Sequence, residues 1–440
     1  MNRFILPITL LTLCIGAPFA SATQTDPGDG YTVDQCVACH EEMAQDHGHS
    51  VHRSASCLQC HQEAVDEAHE QLPPPPVDCR RCHAPHDEKV AHDPHTRIAC
   101  KACHQKDGVA VADPESGRVI FSGETVPGRN LSPHQMVVRT DDSLCRSCHF
   151  KDNDLGASAM TLPAKSILCM PCHAATFSIG DRASIFSLLI FTVAMGGLVS
   201  VWLSGGRTGR GKHGLHGGLS ALVVAFVADV LFIRKLYRLS PARWAIHALI
   251  YYPILMRMTF GMMALGLSLT LPDMDLTRAI QDKNHPLRAL FFDLTGLMII
   301  TGVFAALLHP EKEQRAASDL PAPGRSMTML LGLIVLVGFV LEGLRIAMTG
   351  WPAGAHYAVA GYGISLMVKG MTGITNIYGY VWYGHAILTG AFVAMIPFTR
   401  MIHMLTAPVV LMVQARSQIM ATLSLQKPQG FRAKAPGVKP

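Results

Sequence analysis

The sequence predicts two unlike parts: an N-terminal region of mostly irregular chain and short helices, and a C-terminal all-α bundle of five transmembrane helices. Three observations lead there. Up to about residue 180 the chain is polar and rich in His, Asp and Pro, and beyond it the hydrophobic 49% of the whole gathers into long apolar runs. The polar part repeats Cys-x-x-Cys-His six times. Five of the apolar runs are long enough to cross about 30 Å of hydrocarbon at about 1.5 Å per helical residue.

The six motifs pair Cys36 with Cys39, Cys57 with Cys60, Cys79 with Cys82, Cys100 with Cys103, Cys145 with Cys148 and Cys169 with Cys172. Each second cysteine is followed by a histidine: His40, His61, His83, His104, His149 and His173. Together they use 12 of the 13 cysteines. Two thiols three positions apart can add to the two vinyl groups of one haem, and the adjacent histidine then reaches the iron as proximal ligand. A single match could be a redox or zinc motif, and a disulfide framework could account for many exported cysteines. Neither accounts for six trailing histidines, so six haems c are expected.

The first four motifs begin at residues 36, 57, 79 and 100, a repeat of 21 or 22 residues. One haem per unit, with too few apolar side chains for an ordinary core, implies a haem-packed domain whose interior the porphyrins fill. Pro73 to Pro76 is a rigid break, and a gap with a β-prone stretch from Arg118 to Phe121 sets the last two motifs apart. Low-spin carriers need a second axial ligand, and eight histidines are candidates: His47, His49, His52, His69, His86, His92, His95 and His134. His52 and His95 each precede a motif cysteine by five residues, which favours a ligand role. A solvated surface histidine is the alternative for the rest. This surplus favours bis-histidine ligation and argues against a catalytic reductase, which needs an iron with an open position.

Arg3, the apolar run from Phe4 to Ile15 and Ala20-Ser21-Ala22 read as a signal peptide over 1–22, with the leftover Cys14 inside it. Haem attachment of this type takes place outside the cytoplasmic membrane. Residues 23–180 are therefore expected as the periplasmic domain of a multi-pass protein of the bacterial cytoplasmic membrane. The expected spans are 184–204, 245–271, 289–308, 327–348 and 379–404. They give a first transmembrane helix within 181–206, a cytoplasmic segment over 207–243, four further helices within 244–410 and a basic cytoplasmic tail over 411–440. A sixth run, Leu219 to Ile233, carries Asp229 and has basic residues on both flanks. Both ends then prefer the cytoplasm, so it reads as an interfacial helix. The net charge of +5 says little by itself, and no nucleic-acid partner is expected.

Ionisable residues inside such helices are costly and usually functional. His385 and His403 are 18 residues apart. On one straight helix that is five turns, which puts both on one side about 27 Å apart. This suits two stacked haems b, one per leaflet. His247, at the depth of His403, would complete the inner site. The partner of His385 stays open: Met258 lies on the face of His247 three turns on, Arg257 would sooner hold a propionate, and an outer haem held by His385 alone is equally possible. One or two haems b are therefore expected. Glu342 and Arg345, one turn apart, either pair with each other, line a quinone pocket or anchor propionates.

Residues 184–410 resemble the cytochrome b family that includes the gamma subunit of respiratory nitrate reductase. The branch holding the membrane subunits of heterodisulfide reductase is the most similar. Arg243-Trp244-x-x-His247, His285-Pro286-Leu287, Phe292-Asp293-x-x-Gly296, Leu341-Glu342-Gly343-x-Arg345, Tyr383-Gly384-His385 and Pro397-Phe398-Thr399-Arg400-x-x-His403 carry the resemblance. It implies five helices, haem b and a quinone site towards the outer face. It also implies that His247 is an inner-haem ligand of the second helix and that His385 and His403 are ligands of the last. The nitrate reductase branch has a second histidine ten positions along helix two, where this chain has Arg257. The N-terminal part resembles multihaem cytochromes c generally.

The function expected is respiratory electron transfer. Quinol, menaquinol or ubiquinol, would be oxidised at the outer face of the membrane, and electrons would pass through haems b and c to a periplasmic cytochrome or reductase. The chain would then be a quinol:cytochrome oxidoreductase subunit or the electron-transfer subunit of a respiratory complex. The alternative is a transmembrane conduit between periplasmic cytochromes and a cytoplasmic iron–sulfur reductase subunit.

Overall fold

The structure, a computed structural model, describes residues 33–61, 79, 100, 104, 109–112, 119–122, 134, 136, 145–163, 165–173, 181–205, 223, 224, 226–271, 274–308 and 325–412. The chain divides into two compact units. One holds residues 33–61 with 134 and 136, and the other holds the remaining described residues. The expected signal peptide and the basic tail lie outside the described residues.

In the first unit, three short helices carry the first two motifs: α1 Val33–Cys39, α2 Glu41–Gly48 and α3 Cys57–Cys60. The motif itself is a single helical turn. The His40 amide donates to the Cys36 carbonyl at 2.9 Å and the His61 amide to the Cys57 carbonyl at 2.9 Å. The same closure recurs at His149 on Cys145 (2.9 Å) and at His173 on Cys169 (2.8 Å). Residues three and four apart on a helical turn share a face, so this closure holds two thiols and an imidazole together. At α3 the Ser56 amide donates to Gln59 Oε1 at 3.0 Å, satisfying one of the donors a helix start leaves open.

The second unit contains a β-hairpin and the helical bundle. Strand β1, Val109–Ala112, runs antiparallel to β2, Val119–Ser122, with Val109 opposite Ser122. The β-prone stretch read at 118–121 falls on β2. Five helices are long and apolar enough to cross a membrane: Arg182–Trp202, Pro241–Thr270, Pro286–Leu308, Ser326–Met348 and Ile374–Phe398. They belong to α4 Arg182–Gly205, α6 Pro241–Thr270, α8 Pro286–Leu308, α9 Ser326–Met348 and α11 Ile374–Met395. Three shorter helices lie between them: α5 Arg234–Leu239, α7 Asp275–Gln281 and α10 Val359–Met367.

Helix starts follow side-chain chemistry. Asp181 accepts from the amides of Ala183 (2.8 Å) and Ser184 (3.1 Å) at the head of α4. Ser240 caps α6, accepting from the Arg243 amide, with Pro241 in the first turn, where a missing N–H costs nothing.

Helix α6 packs on α8, α8 on α9, α9 on α11 and α11 on α4. The centre of the bundle is apolar, with Ile299, Val303, Leu331 and Val335 buried and Ile250, Ile254 and Phe339 against them. Between lipid-exposed helices, packing replaces the hydrophobic effect as the driving force, so small residues mark close approach. Gly302 is such a point: a Cβ there would lie 2.7 Å from Ile250 of α6. A buried acid ties α8 to α10. Asp293 accepts from the amides of Ala360 (2.8 Å) and Gly361 (3.5 Å) in the first turn of α10. Asp293→Ala should uncap that helix and cost about 0.5–2 kcal/mol. A lowered unfolding midpoint in detergent checks this, and an unchanged one contradicts it.

One expectation needs correction. The last span was expected as one helix over 379–404, but α11 stops at Met395. The 3-10 turns Ile396–Phe398 and Arg400–Ile402 follow before the chain resumes an apolar helix that reaches Met412. Pro397 accounts for the break, because it has no amide to continue the ladder and its ring crowds the preceding turn. The run read as an interfacial helix over 219–233 is helical where described: residues 223 and 224 are α-helical and Phe226–Leu231 is π-wound, with Ile233 in left-handed backbone after it. Asp229 is buried in that turn and paired with Arg234 at 3.1 Å and Lys235 at 3.5 Å.

Candidate haem-iron sites

Among the described residues, no group of three or more His, Cys, Asp or Glu could hold a bare metal ion. Opposed pairs of histidines are present instead. Two imidazoles bound to one iron have a characteristic spacing. About 2.0 Å from metal to nitrogen and about 1.1 Å from nitrogen to ring centre, on each side, place the centres about 6.2 Å apart.

The first pair is the expected one. The rings of His247 on α6 and His403, just past the break after α11, have centroids 6.2 Å apart. His403 Nδ1 donates to the Arg400 carbonyl at 2.7 Å, which fixes the tautomer and leaves Nε2 free. A backbone acceptor on one ring nitrogen is the usual support for a metal-ligating histidine. His247 Nδ1 is buried and has no hydrogen-bond partner among the described residues, which is costly for a ring nitrogen. The residues fit a haem held here by two imidazoles.

At the end of the bundle where α6 and α9 finish and α11 begins, the partner of His385 is one the sequence did not suggest. The ring facing it is that of His173, the proximal histidine of the sixth motif, with centroids 6.1 Å apart. The His385 ring interacts with the backbone of Ile334, yet its Nδ1 is buried without a hydrogen-bond partner among the described residues. On the other side, Phe292 stacks on His173 with planes 17° apart and centroids 6.1 Å apart. Burial, reinforced by the charges of Lys165, His385, Arg257 and Lys283, holds the His173 imidazole well below its ordinary pKa. The ring is therefore neutral, the form that binds iron.

The sixth motif reaches this place because its turn is seated on α6. Met170 and Leu265 are buried together with Cys169 against them. The contact requires Gly261, where a Cβ would lie 2.9 Å from the His173 carbonyl oxygen and 3.2 Å from that of Met170. Gly338 on α9 leaves room beside His385, whose Cε1 is the sole neighbour a Cβ there would meet, at 3.6 Å.

The fifth motif is docked at the same end. The Ala159 amide donates to the Thr375 carbonyl at 2.9 Å, and Asn376 of α11 exchanges hydrogen bonds with Asp152 at 3.0 and 2.6 Å. His149 Nδ1 donates to the Ser158 carbonyl at 2.6 Å, which orients the ring. Beside it lies a cavity of about 360 Å³ lined by Arg146, His149, Ala159, Met160, Thr161 and Tyr383. Residues 145–173 thus pack on the bundle.

Other candidates fall as follows. Arg257 is buried, donating to Thr295 Oγ1 at 2.7 Å and to the Phe292 carbonyl, with its guanidinium 5.3 Å over the Phe292 ring. It braces α6 against α8 beside the sixth motif. Met258 is 40% exposed. Arg345 and Glu342 form a half-buried ion pair at 2.6 Å, one of the alternatives the spacing allowed. In the first unit, the ring of His134 lies 6.1 Å from that of His61 and 6.3 Å from that of His47. Burial and the neighbouring Cys57 push the Cys36 thiol pKa up, so the first cysteines of motifs one and two come together. His40 and His49 are exposed, His52 and His104 are half-buried, and Cys79 and Cys100 are described without their motif partners. Cys82, His83, Cys103, His69, His86, His92 and His95 lie outside the described residues.

Sequence reasoning missed Phe292 as a ring neighbour, Ser158 as an orienting acceptor and Gly261 as a seat. A glycine in an apolar helix does signal close approach, but not of what. Comparison with protein-family models, with curated proteins and with solved structures gives no match to this chain.

Proposed function

We propose that the chain is a membrane-bound respiratory cytochrome that oxidises quinol at the outer face of the membrane and passes electrons through haems b and c to a periplasmic cytochrome or reductase. The observation that carries this reading is the pair of opposed-histidine sites, His247 with His403 and His173 with His385, within one apolar bundle. The six thiol-pair motifs supply the continuation. Haem bound at these places supplies one-electron carriers. The chain's own residues hold them in series, with Gly261 seating a covalent anchor on the bundle and Arg400 and Ser158 orienting imidazoles. Apolar helices exclude water from the path, and the Glu342–Arg345 pair, half-buried in α9, offers polar contacts for a quinol head. The exposed position of His403 favours a second use of the same ladder, as a conduit towards a cytoplasmic iron–sulfur partner.

Reconstitution of the whole chain in vesicles tests the proposal. With a menaquinol or ubiquinol analogue as donor, the haem c absorbance should shift to the reduced form, and a quinol-site inhibitor should slow that shift at least tenfold. If the c haems stay oxidised with quinol while dithionite reduces them, quinol oxidation is ruled out.

A further inference from the structure

We propose that the haem at the α11-entry end of the bundle is not a second haem b but the sixth haem c, with His173 as one axial ligand and His385 as the other, so that the chain carries a single haem b, between His247 and His403. The inference rests on the haem-carrying reading above and deepens it by assigning one site.

Three independent features converge on this. The ring separation of 6.1 Å is the spacing two axial imidazoles on one iron require. The groups that could otherwise complete an outer haem b are engaged or turned away. Arg257 occupies the place of the family's second histidine and spends its guanidinium on Thr295 and the Phe292 carbonyl. Met258 is 40% exposed. Finally, the sixth motif has a built seat, since the His173 and Met170 carbonyls approach α6 so closely that only glycine fits at 261. With the His173 ring 6.1 Å from that of His385, one side of His385 is already faced by a motif histidine.

Attachment is balanced without a co-reactant. Each thiol, of Cys169 and Cys172, adds across a vinyl group. The sulfur–carbon bond forms at one vinyl carbon and the thiol hydrogen ends on the other, so no atom or electron leaves. The consequence is an entry haem that cannot dissociate and that connects lipid-depth chemistry to the exported haems through one covalent anchor.

The test is haem stoichiometry and spin state in the purified full chain. Acid-acetone extraction with pyridine haemochrome analysis should give one extractable haem b for the six haems c that the motifs specify. Two haems b would overturn the inference while leaving the proposed function intact. No haem c at all would sink the proposed function itself. In His385→Ala, haem b content should stay at the wild-type value while one low-spin c haem becomes high-spin by EPR. Loss of haem b in that variant, or an unchanged spin state, would overturn the assignment. If His385→Ala fails to accumulate, His385→Met should fold and raise the potential of one c haem alone. A shift confined to haem b would count against the assignment.

Discussion

His403→Ala should empty the non-covalent haem site while all six haems c stay attached. In the proposed arrangement a haem b would be held only by axial bonds and packing, and the His403 ring is the one 6.2 Å from that of His247. Its Nδ1 hydrogen bond to the Arg400 carbonyl at 2.7 Å fixes the ring's orientation. Loss of a supporting hydrogen bond around a metal ligand commonly costs about 10–100-fold in affinity, and loss of the ligand itself costs at least that much. Extractable haem b should therefore fall below about a tenth of wild type, and the c-type content should not change because thioethers hold it. The fold should survive, because His403 is exposed and lies beyond the end of α11, outside the packed centre of the bundle. Adding imidazole should restore part of the lost absorbance by supplying the missing ligand from solution. Wild-type haem b content in this variant would refute the pairing.

That pairing was legible before any coordinates, and the other was not, for physical reasons. His247 and His403 sit on apolar helices whose length and direction the sequence specifies, so equal depth could be read by counting residues. The count survived even though its premise of one straight helix did not, because the two short turns around Pro397 preserve the approach to α6. The Glu342–Arg345 pair was likewise readable, since three residues is one turn. His173 and His385 are brought together by docking of a loop on a bundle, and no periodicity encodes that. Its cues, Gly261 and Phe292, look in sequence like any small or aromatic residue of a membrane helix. The same limit hid the role of Asp293, an acid in an apolar run. It caps a nine-residue helix that composition did not reveal.

Gly261→Val should undock the sixth motif and change one c haem without touching haem b. A Cβ at this position meets two backbone carbonyl oxygens, at 2.9 and 3.2 Å, and backbone cannot turn aside as a flexible side chain can. Overpacking of this kind costs about 1–3 kcal/mol, about a 5- to 150-fold fall in the docked population. Gly266, on the same helix, has nothing within 4 Å of its Cβ position among the described residues. Gly266→Val thus reproduces the change in helix composition without the clash and should leave the spectrum as in wild type. Where the sixth motif carries the proposed haem, its thioethers would keep that haem on the chain in Gly261→Val, but His385 would no longer be opposite His173. The high-spin c signal should rise, and electron transfer from vesicle quinol to the exported haems should slow by a comparable factor. His247 and His403 are untouched, so the extractable haem b should not move. If both valine variants behave alike, the seat on α6 has no part in ligation and the covalent entry haem must be sought elsewhere.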